Sequence, residues 1–436
     1  MSSIGFFSDW YSRNRARTQA LFDLVADEAY YDRPIGLRHP LVFYEGHLPA
    51  FSFNTLVTRA LGGASIDPAL EALFSRGIDP SEHDAGRADA DRWPSRAIVR
   101  QFVGEADRQM RAALARGDLD RPGDPLLHRS EAVFAILEHE AMHQETLLYM
   151  WHRLPFEHKR RPPAYRPRVD GELPAQEWIH VPPGQVTLGA DSAALPFGWD
   201  NERPGHVEDV GAFAIHRHDV TNAAFLEFVE AGGYEDESWW TPEDWQWVQK
   251  TGARWPLFWK RRDEAWQWRG MFELLPLPMS WPVFVSHAEA SAYTRWRGLR
   301  LPTEAEYQRA AYGTPDGTER LHPWGSALPS PAHGVFDFVS WDPEPAGSHP
   351  AGRSAWGVDD LVGNGWEWTS TVFAPFPGFR PLPSYPEYSA DFFDGQHLVL
   401  KGASPATARE LLRPTFRNWF RPRYPYVYAT FRCVQA

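Results

Sequence analysis

The sequence predicts an α+β multidomain protein, in which an N-terminal four-helix bundle precedes a mixed domain of short strands, few helices and many aromatic side chains. Apolar residues recur three and four positions apart from residue 7 to about residue 157, which is the spacing of amphipathic helices. A segment rich in proline and charge follows at residues 158–175 and lacks any apolar period. Beyond it, short β-type runs alternate with glycine and proline turns. These observations divide the chain into a bundle at 1–157, a linker at 158–175 and a second domain at 176–436.

The first domain is predicted to be a bundle because it holds four apolar-periodic segments, at residues 9–28, 40–61, 94–116 and 130–153. Helices of these lengths are typical of a four-helix bundle, and one of the loops that join them, at about 62–93, is long. Metal and cofactor sites in such bundles are formed by side chains that project into the bundle core. We therefore expect any site in this domain to be built from facing helices.

The second domain is predicted to be mixed because β-type runs at Trp178–Val181 and Gly184–Leu188 precede helical segments at 222–231 and 286–296, with a third that begins at Thr303. Aromatic residues make up 14% of the chain, including 21 Trp, and they concentrate after residue 190. Such enrichment predicts a large aromatic core or a pocket lined by aromatic rings.

The composition excludes several classes of protein. The 436 residues carry a formal net charge of −13, and the HKRR run at 158–161 is too short to track a phosphate backbone, so we expect no nucleic-acid partner. No stretch approaches about 18 consecutive apolar residues, and the N-terminus lacks the features of a signal peptide. We expect a cytoplasmic protein with no membrane partner. Cys433 is the only cysteine, which excludes an internal disulfide and a cysteine-rich metal site.

The sharpest local feature is the run HEAMHQE at residues 139–145, in the fourth candidate helix. His139 and His143 are four positions apart and differ by about 40° around a helix, so both imidazoles can reach one metal ion from one face. The same run fits the HExxH pattern of zinc peptidases, in which Glu140 would be the general base. A pair of half-exposed, hydrogen-bonded histidines is a third interpretation.

A third metal ligand is available upstream rather than downstream. A zinc peptidase needs a further ligand after the motif, but Thr146 and Leu147 are followed by the linker. His47 lies in the run FYEGHLP at 43–49 of the second candidate helix, which can face the fourth. Glu145 is about 240° around the helix from His139 and should point away from the metal. The pattern favours three histidines, and three neutral imidazoles leave positions of octahedral Fe(II) open for O2 and a soft anionic ligand.

Further motifs cover both domains: DNERP at 200–204, DVTN at 219–222, RLPTEAE at 300–306, GNGWEWTS at 363–370 and LRPTFRNW at 412–419. Together with His47 and residues 139–146, they resemble the hercynine sulfoxide and selenoxide synthase family, non-haem iron enzymes that include those that make ergothioneine. The resemblance implies a DinB-like bundle followed by a domain of the formylglycine-generating-enzyme type, which is related to C-type lectins. The motifs occur in the family's order.

The resemblance also implies an activity, that of an O2-dependent oxidoreductase with Fe(II) as cofactor. In this family hercynine and a thiol or selenol donor react with O2, a bond forms from sulfur or selenium to an imidazole carbon, and the product is a sulfoxide or selenoxide. The implied iron ligands are His47, His139 and His143. Asn418 and Trp419 match the residues that hold hercynine, and Trp419 offers a cation–π surface for its quaternary ammonium. The proton-donating tyrosine falls on Tyr385, or on Tyr388 if the one-residue insertion in this pairing is misplaced.

Three positions depart from the members that use γ-glutamylcysteine. Phe420 and Tyr424 stand where those members have Asp and Arg, and Met142 stands where they have Gln near the substrate. Two aromatic rings cannot make the charge-assisted bonds that recognise a peptide zwitterion, but they suit the C–H faces of a sugar. The chain therefore resembles the selenoneine synthases, and we expect a selenosugar, 1-seleno-glucose, as the donor.

Other interpretations remain open. If Phe420 and Tyr424 only pack, the donor is cysteine or γ-glutamylcysteine, the product is that of an ergothioneine-type sulfoxide synthase, and an arginine binds the donor carboxylate. The candidate arginines are Arg92, Arg96, Arg421 and Arg423. The more remote alternatives are the zinc peptidase and a non-catalytic binding protein with a vestigial bundle.

Overall fold

The computed structural model describes residues 3–75, 93–191 and 193–436, which form two compact units. The first unit comprises the described residues up to Ala164 together with Leu382–Pro386, and the second comprises Tyr165–Pro381 and Glu387–Ala436. The first is helical and the second combines helices with sheets, so the predicted α+β class is confirmed. Most of the predicted 62–93 loop, at residues 76–92, lies outside the described residues, as does Arg92.

The first unit is built from the four long helices that the sequence predicts, with shifted ends. In chain order the helices are α1 (Ser3–Asp23), α2 (Leu41–Ser52), the short α3 (Pro68–Leu73), α4 (Arg96–Leu114) and α5 (Glu131–Arg153). The short α3 lies within the predicted 62–93 loop and was not predicted. Helix α1 ends before the predicted residue 28, because the backbone extends at Val25 to form a bridge with Lys159. No helix among the described residues has both the length and the apolar character needed to cross a bilayer.

Helix α2 is buried along nearly its whole length, as expected of a helix whose residues are mostly apolar. It continues without a break into a π-helix at Phe53–Ala60. Gly46 permits its close packing, because a β-carbon at this position would lie 2.5 Å from ring carbons of Phe74. Phe74 follows α3, whose first turn is capped by the Asp67 carboxylate.

The second unit contains four further helices in the described residues: α6 (Asn222–Glu230), α7 (Pro242–Thr251), α8 (His287–Trp296) and α9 (Glu304–Tyr312). Helices α6, α8 and α9 match the predicted segments, whereas α7 was not predicted. The start signal for α7 was present, because Thr241 caps the helix and Pro242 occupies its first position.

The strands of the second unit form two four-stranded sheets and two smaller ones. In chain order they are β1 (Trp178–Val181), β2 (Gly184–Leu188), β3 (His206–Val210), β4 (Phe213–His216), β5 (Trp259–Arg262), β6 (Ala265–Arg269), β7 (Leu274–Pro276), β8 (Leu299–Arg300), β9 (Gly365–Val372), β10 (Leu398–Ala403), β11 (Asn418–Phe420), β12 (Ala429–Thr430) and β13 (Val434–Gln435). The four-stranded sheets have the orders β1-β4-β13-β8 and β11-β10-β9-β12, while β2-β3 and β5-β6-β7 are separate antiparallel sheets.

Strand β11 places three of the predicted site residues at a sheet edge. It pairs antiparallel with β10, so that Asn418 lies opposite Leu400, Trp419 opposite Val399 and Phe420 opposite Leu398. The side chains of Asn418, Trp419 and Phe420 are all half-buried. Because successive side chains of a strand alternate between faces, Asn418 and Phe420 project on one face and Trp419 on the other.

A fully buried arginine connects the two four-stranded sheets. Arg432, just before β13, donates from Nε and Nη2 to both carboxylate oxygens of Glu367 in β9, at 2.5 and 2.7 Å. It also donates to Asp219, at 3.2 Å, and to the carbonyl oxygens of His216, at the end of β4, and Asp359. Arg432 and Glu367 are 0% exposed and Asp219 is 1% exposed, so water solvates none of these charges.

Replacing Arg432 with Met should lower the free energy of unfolding of the second unit by about 3–5 kcal/mol, because Glu367 and Asp219 would stay buried without their cation. Urea denaturation followed by tryptophan fluorescence measures the change. The matched control is Arg262→Met, whose exposed pair with Asp263 should contribute less than about 1 kcal/mol. Equal losses in the two variants would contradict a structural role for the buried pair.

Candidate metal centre

Three histidines of the first unit come together between α2 and α5. Each of His47, His139 and His143 has one ring nitrogen that lies within 4.8 Å of a ring nitrogen of the other two. The ring centroid of His47 lies 5.2 Å from that of His139 and 5.1 Å from that of His143, and the centroids of His139 and His143 are 4.4 Å apart. The packing of α2 against α5 therefore brings together residues that are 92 positions or more apart in the chain.

His47 has a defined tautomer. Its Nδ1 lies 2.9 Å from the backbone oxygen of Phe74, and because a carbonyl can only accept, Nδ1 carries the hydrogen and donates it. The lone pair is therefore on Nε2, the nitrogen that a metal would take. Burial lowers the pKa of His47 to about 4, so the ring is neutral at pH 7.

His139 and His143 are also neutral, because burial holds the pKa of each well below its ordinary value. Three of their ring nitrogens lack a hydrogen-bond partner among the described residues: both nitrogens of His139, and Nδ1 of His143. A buried nitrogen without a partner is costly, and coordination of a cation would satisfy it. The three neutral nitrogen donors thus fit a divalent transition metal such as Fe(II) or Zn(II).

Aromatic rings enclose the histidines. Phe51 stacks on His139 with the ring centroids 3.6 Å apart, and Phe43 stacks on His47 at 4.8 Å. Tyr44 lies 5.8 Å from His143. The stacked rings restrict the orientations of the His47 and His139 imidazoles and cover one face of each. Phe43 and Phe51 were not predicted as site residues, although their positions four residues before and after His47 place them on the same side of the helix.

Glu140 cannot serve as a base at this cluster. Its Oε1 accepts hydrogen bonds from Arg15 and from the Thr18 hydroxyl, both at 2.7 Å, and its side chain is buried against α1. In the described part of the chain, the group within reach of one metal contains the three histidines and neither Glu140 nor Glu145. The arrangement lacks the free carboxylate that an HExxH peptidase requires.

The two candidate tyrosines lie in different units. Tyr385 belongs to the first unit, where its ring lies 6.1 Å from His139 and 5.1 Å from Phe51. Tyr388 belongs to the second unit, where it is buried and stacks on Trp199 at 3.9 Å. The phenol beside the histidine cluster is therefore that of Tyr385.

Trp419 lies in an aromatic cluster of the second unit. Its ring stacks on Phe373 at 4.3 Å, meets Tyr388 edge to face at 5.3 Å and lies 5.5 Å from Phe392. The side-chain oxygen of Asn418 accepts a hydrogen bond from the backbone N–H of Trp419. Phe373 and Phe392 were not predicted as site residues, because only the tertiary fold brings them to Trp419.

Phe420 and Tyr424 stack on each other, with centroids 5.2 Å apart and ring planes 8° from parallel. Arg423, between them in sequence, donates to Asp244 at 2.8 Å, and Arg421 lies 3.8 Å from Asp394. In the first unit Arg96 donates to Asp27 at 2.7 Å and lies 3.4 Å from Glu45. Each of these candidate arginines thus already has a carboxylate partner.

Met142 is half-buried on α5, between His139 and His143 in sequence.

The fold and the site define a two-domain protein with a three-histidine centre in its helical half. Residues 11–147 match the DinB superfamily, and residues 166–436 match the sulfatase-modifying factor enzyme 1-like domain. The chain is 36% identical to a hercynine oxygenase of Mycobacterium tuberculosis over 97% of its own length and 96% of that protein. It is 40% identical to a hercynine oxygenase of Mycolicibacterium smegmatis over 66% of this chain and 67% of that protein. Ergothioneine biosynthesis protein 1 of Neurospora crassa is 26% identical over the whole chain, which spans 58% of that protein.

The chain belongs to the hercynine oxygenase family, and it is an oxygen-dependent oxidoreductase. The predicted combination of a DinB-like bundle with a domain of the formylglycine-generating-enzyme type is confirmed.

Replacing Gly46 with Ala should weaken metal binding by about 10- to 100-fold, because the new β-carbon would displace Phe74, whose carbonyl orients His47. Titration of the metal-free protein with Co(II), followed by its visible absorption, measures the affinity. Gly104→Ala is the matched control, because a β-carbon there meets no atom within 4 Å. Unchanged affinity in Gly46→Ala would show that the Phe74 carbonyl does not orient the ligand.

Proposed function

We propose that this protein is an Fe(II)-dependent enzyme that uses O2 to join hercynine to a sulfur or selenium donor. The observation that carries the proposal is the cluster of three neutral histidines, two of them buried and His143 half-buried, in a chain that aligns over nearly its full length with a hercynine oxygenase. In the balanced reaction a hercynine C–H, a donor S–H or Se–H and O2 give a C–S or C–Se bond, an oxide on that atom and one water.

In this proposal His47, His139 and His143 hold the iron. Fe(II) supplies the one-electron chemistry that lets O2 react with closed-shell substrates. His47 is oriented for this task by its hydrogen bond to Phe74. Phe43 and Phe51 restrict the orientations of the His47 and His139 rings and cover one face of each.

We assign the proton-donor role to Tyr385 rather than Tyr388. A phenol is neutral at pH 7 and can give a proton to a group within hydrogen-bond reach. The Tyr385 ring lies next to His139, whereas the stacking of Tyr388 on Trp199 suits a structural role.

We assign hercynine binding to Asn418 and Trp419. A trimethylammonium group is attracted to the electron-rich faces of aromatic rings, and the rings around Trp419 form an environment of that kind. Asn418 is assigned together with Trp419 because both match the family's hercynine-binding motif, and its half-buried amide is a polar group on the same edge strand.

For the donor we propose a selenosugar such as 1-seleno-glucose. The support is the parallel Phe420–Tyr424 pair, which offers flat apolar surface, and the carboxylate partners of Arg96, Arg421 and Arg423, which compete with any donor carboxylate. Met142 is an apolar, polarisable residue between the two histidines of α5 in sequence, and selenium is itself soft.

The second candidate is an ergothioneine-type sulfoxide synthase that uses cysteine or γ-glutamylcysteine. The names of the relatives favour it, since they include ergothioneine biosynthesis proteins. In that case the Phe420–Tyr424 stack is packing only.

Replacing His143 with Ala should remove Fe(II) and all hercynine-dependent O2 consumption, because one of three ligands is lost. Iron is measured by elemental analysis after anaerobic loading and desalting. His128→Ala, at an exposed histidine of the same unit, is the control and should keep both properties. Full iron occupancy and activity in His143→Ala would contradict the centre, and zinc-dependent peptide cleavage by the wild type would favour a peptidase.

The donor is tested by loading the protein anaerobically with Fe(II), adding hercynine with one donor at a time, admitting O2 and identifying products by mass spectrometry. The donors are 1-seleno-glucose, 1-thio-glucose, cysteine and γ-glutamylcysteine. We expect the coupled product from 1-seleno-glucose. The double variant Phe420→Asp with Tyr424→Arg should lose that product, because the apolar surface is replaced by charges. A wild-type product from a cysteine-type donor alone would contradict the selenosugar and support the second candidate.

A further inference from the structure

Tyr385 reaches the bundle from a short turn that lies far from the bundle in sequence. The segment Leu382–Pro386 belongs to the first unit, although the residues on both sides of it belong to the second. The backbone N–H of Tyr385 donates to the carbonyl of Leu382 at 3.1 Å, which closes a four-residue turn with Pro383 at its second position. Pro383 and Pro386 flank Ser384 and Tyr385 and restrict the backbone further.

Two bundle residues bind this turn through its backbone. Arg59, near the end of the π-helix, donates from Nη1 to the carbonyl of Ser384 at 3.1 Å and from Nη2 to that of Pro383 at 3.3 Å. Glu131, the first residue of α5, accepts from the backbone N–H of Ser384 at 3.2 Å and from its hydroxyl at 2.9 Å. Ser384 is fully buried, so these bonds replace hydration that the turn has lost.

We propose that Arg59 and Glu131 are positioning residues that hold the Leu382–Pro386 turn and thereby keep the Tyr385 phenol at the histidine cluster. The inference deepens the proposed function, on which the role of Tyr385 rests. The two residues act on opposite sides of the Pro383–Ser384 peptide unit: Arg59 binds the carbonyl of Pro383, and Glu131 binds the N–H of Ser384. A turn held at both its donor and its acceptor cannot rotate without losing one of the bonds.

Arg59 and Glu131 lie on the same helices as the proposed metal ligands. Glu131 is on α5 with His139 and His143, and Arg59 is on the helix that runs on from α2 with His47. Any movement of these helices that shifts the ligands also shifts the turn. The distance from the phenol to the histidines is therefore fixed by side chains of the helices themselves and not by the long chain connection to the second unit.

The first test measures the turn without any metal. Hydrogen exchange of the Ser384 and Tyr385 amides, followed by mass spectrometry of a peptide that covers 382–390, should be about 10-fold faster or more in Arg59→Ala and Glu131→Ala. Glu131→Gln should remain protected, because the amide oxygen still accepts both bonds from Ser384. Arg121→Ala, at an exposed arginine paired with Asp118, is the control. Unchanged exchange in the Arg59→Ala, Glu131→Ala double variant would overturn the proposal, as would equal losses in Glu131→Gln and Glu131→Ala.

The second test measures how close the ring of residue 385 lies to a metal ion at the histidine cluster. With 3-fluorotyrosine incorporated at position 385, binding of paramagnetic Co(II) should shift or broaden its fluorine resonance in the wild type. The effect should be lost in the double variant while Co(II) still binds. Retention of the full effect in the double variant would contradict a positioning role. A protected turn with no Co(II) effect in the wild type would instead contradict the metal centre, which separates failure of this inference from failure of the proposed function.

The third test uses the iron-loaded enzyme. Displacement of a reacting group by about 1 Å can cost about 10²-fold in rate, so the double variant should form far less product per O2 consumed while its KM for hercynine stays unchanged. The single variant Glu131→Gln should keep the wild-type ratio of product to O2. A raised KM with an unchanged ratio would indicate a substrate-binding defect and would overturn the positioning role.

Discussion

The hydrogen-bonded contact between α1 and α5 sets the geometry on which the metal centre depends. Glu140 accepts from Arg15 and Thr18, the amide of Gln144 donates to the backbone of Asn14, and the amide of Asn14 donates to the carbonyl of Leu137. Residues 137, 140 and 144 follow one face of a helix. With that face fixed to α1, rotation of α5 about its axis is blocked, and His139 and His143 are directed to the neighbouring face, where α2 brings His47. The glutamate of the HExxH run therefore helps to fix the rotation of α5 and is not a member of the histidine cluster.

The second unit has long irregular segments and only small sheets, so buried ion pairs and aromatic packing stabilise it. Arg432 joins two sheets through Glu367, and Arg417 binds Glu304 in the same bidentate way within the interior. Such pairs are directional, and they are supported by tryptophan side chains with exposed fractions near zero. The edge strand β11, which carries Asn418 and Trp419, is thereby presented from a rigid body. Cys433 is buried there, and burial raises the pKa of its thiol well above the ordinary value, which is the state of an inert core cysteine.

Local pattern was enough to predict part of this structure. The i, i+4 spacing of His139 and His143 follows from helical geometry, and the apolar character of the His47 segment placed it in a bundle core. The start of α7 was also readable at Thr241 and Pro242, although it was missed. The partners of these residues were not readable in the same way. Arg15 meets Glu140 across 125 positions and Phe74 meets His47 across 27, and no periodicity links such pairs, because they arise only when the helices pack.

The assignment of Leu382–Pro386 to the helical unit has a consequence for how this architecture can be inherited. The bundle alone, cut at the linker, would retain its three histidines but would lack the phenol that completes their surroundings. The two folds are therefore not interchangeable modules joined for convenience. A gene fusion that brought them together would have placed a tyrosine ring beside His139 of the helical half at the moment of joining. After that event, a substitution in the turn and a substitution at the bundle surface that receives it would be selected as a pair.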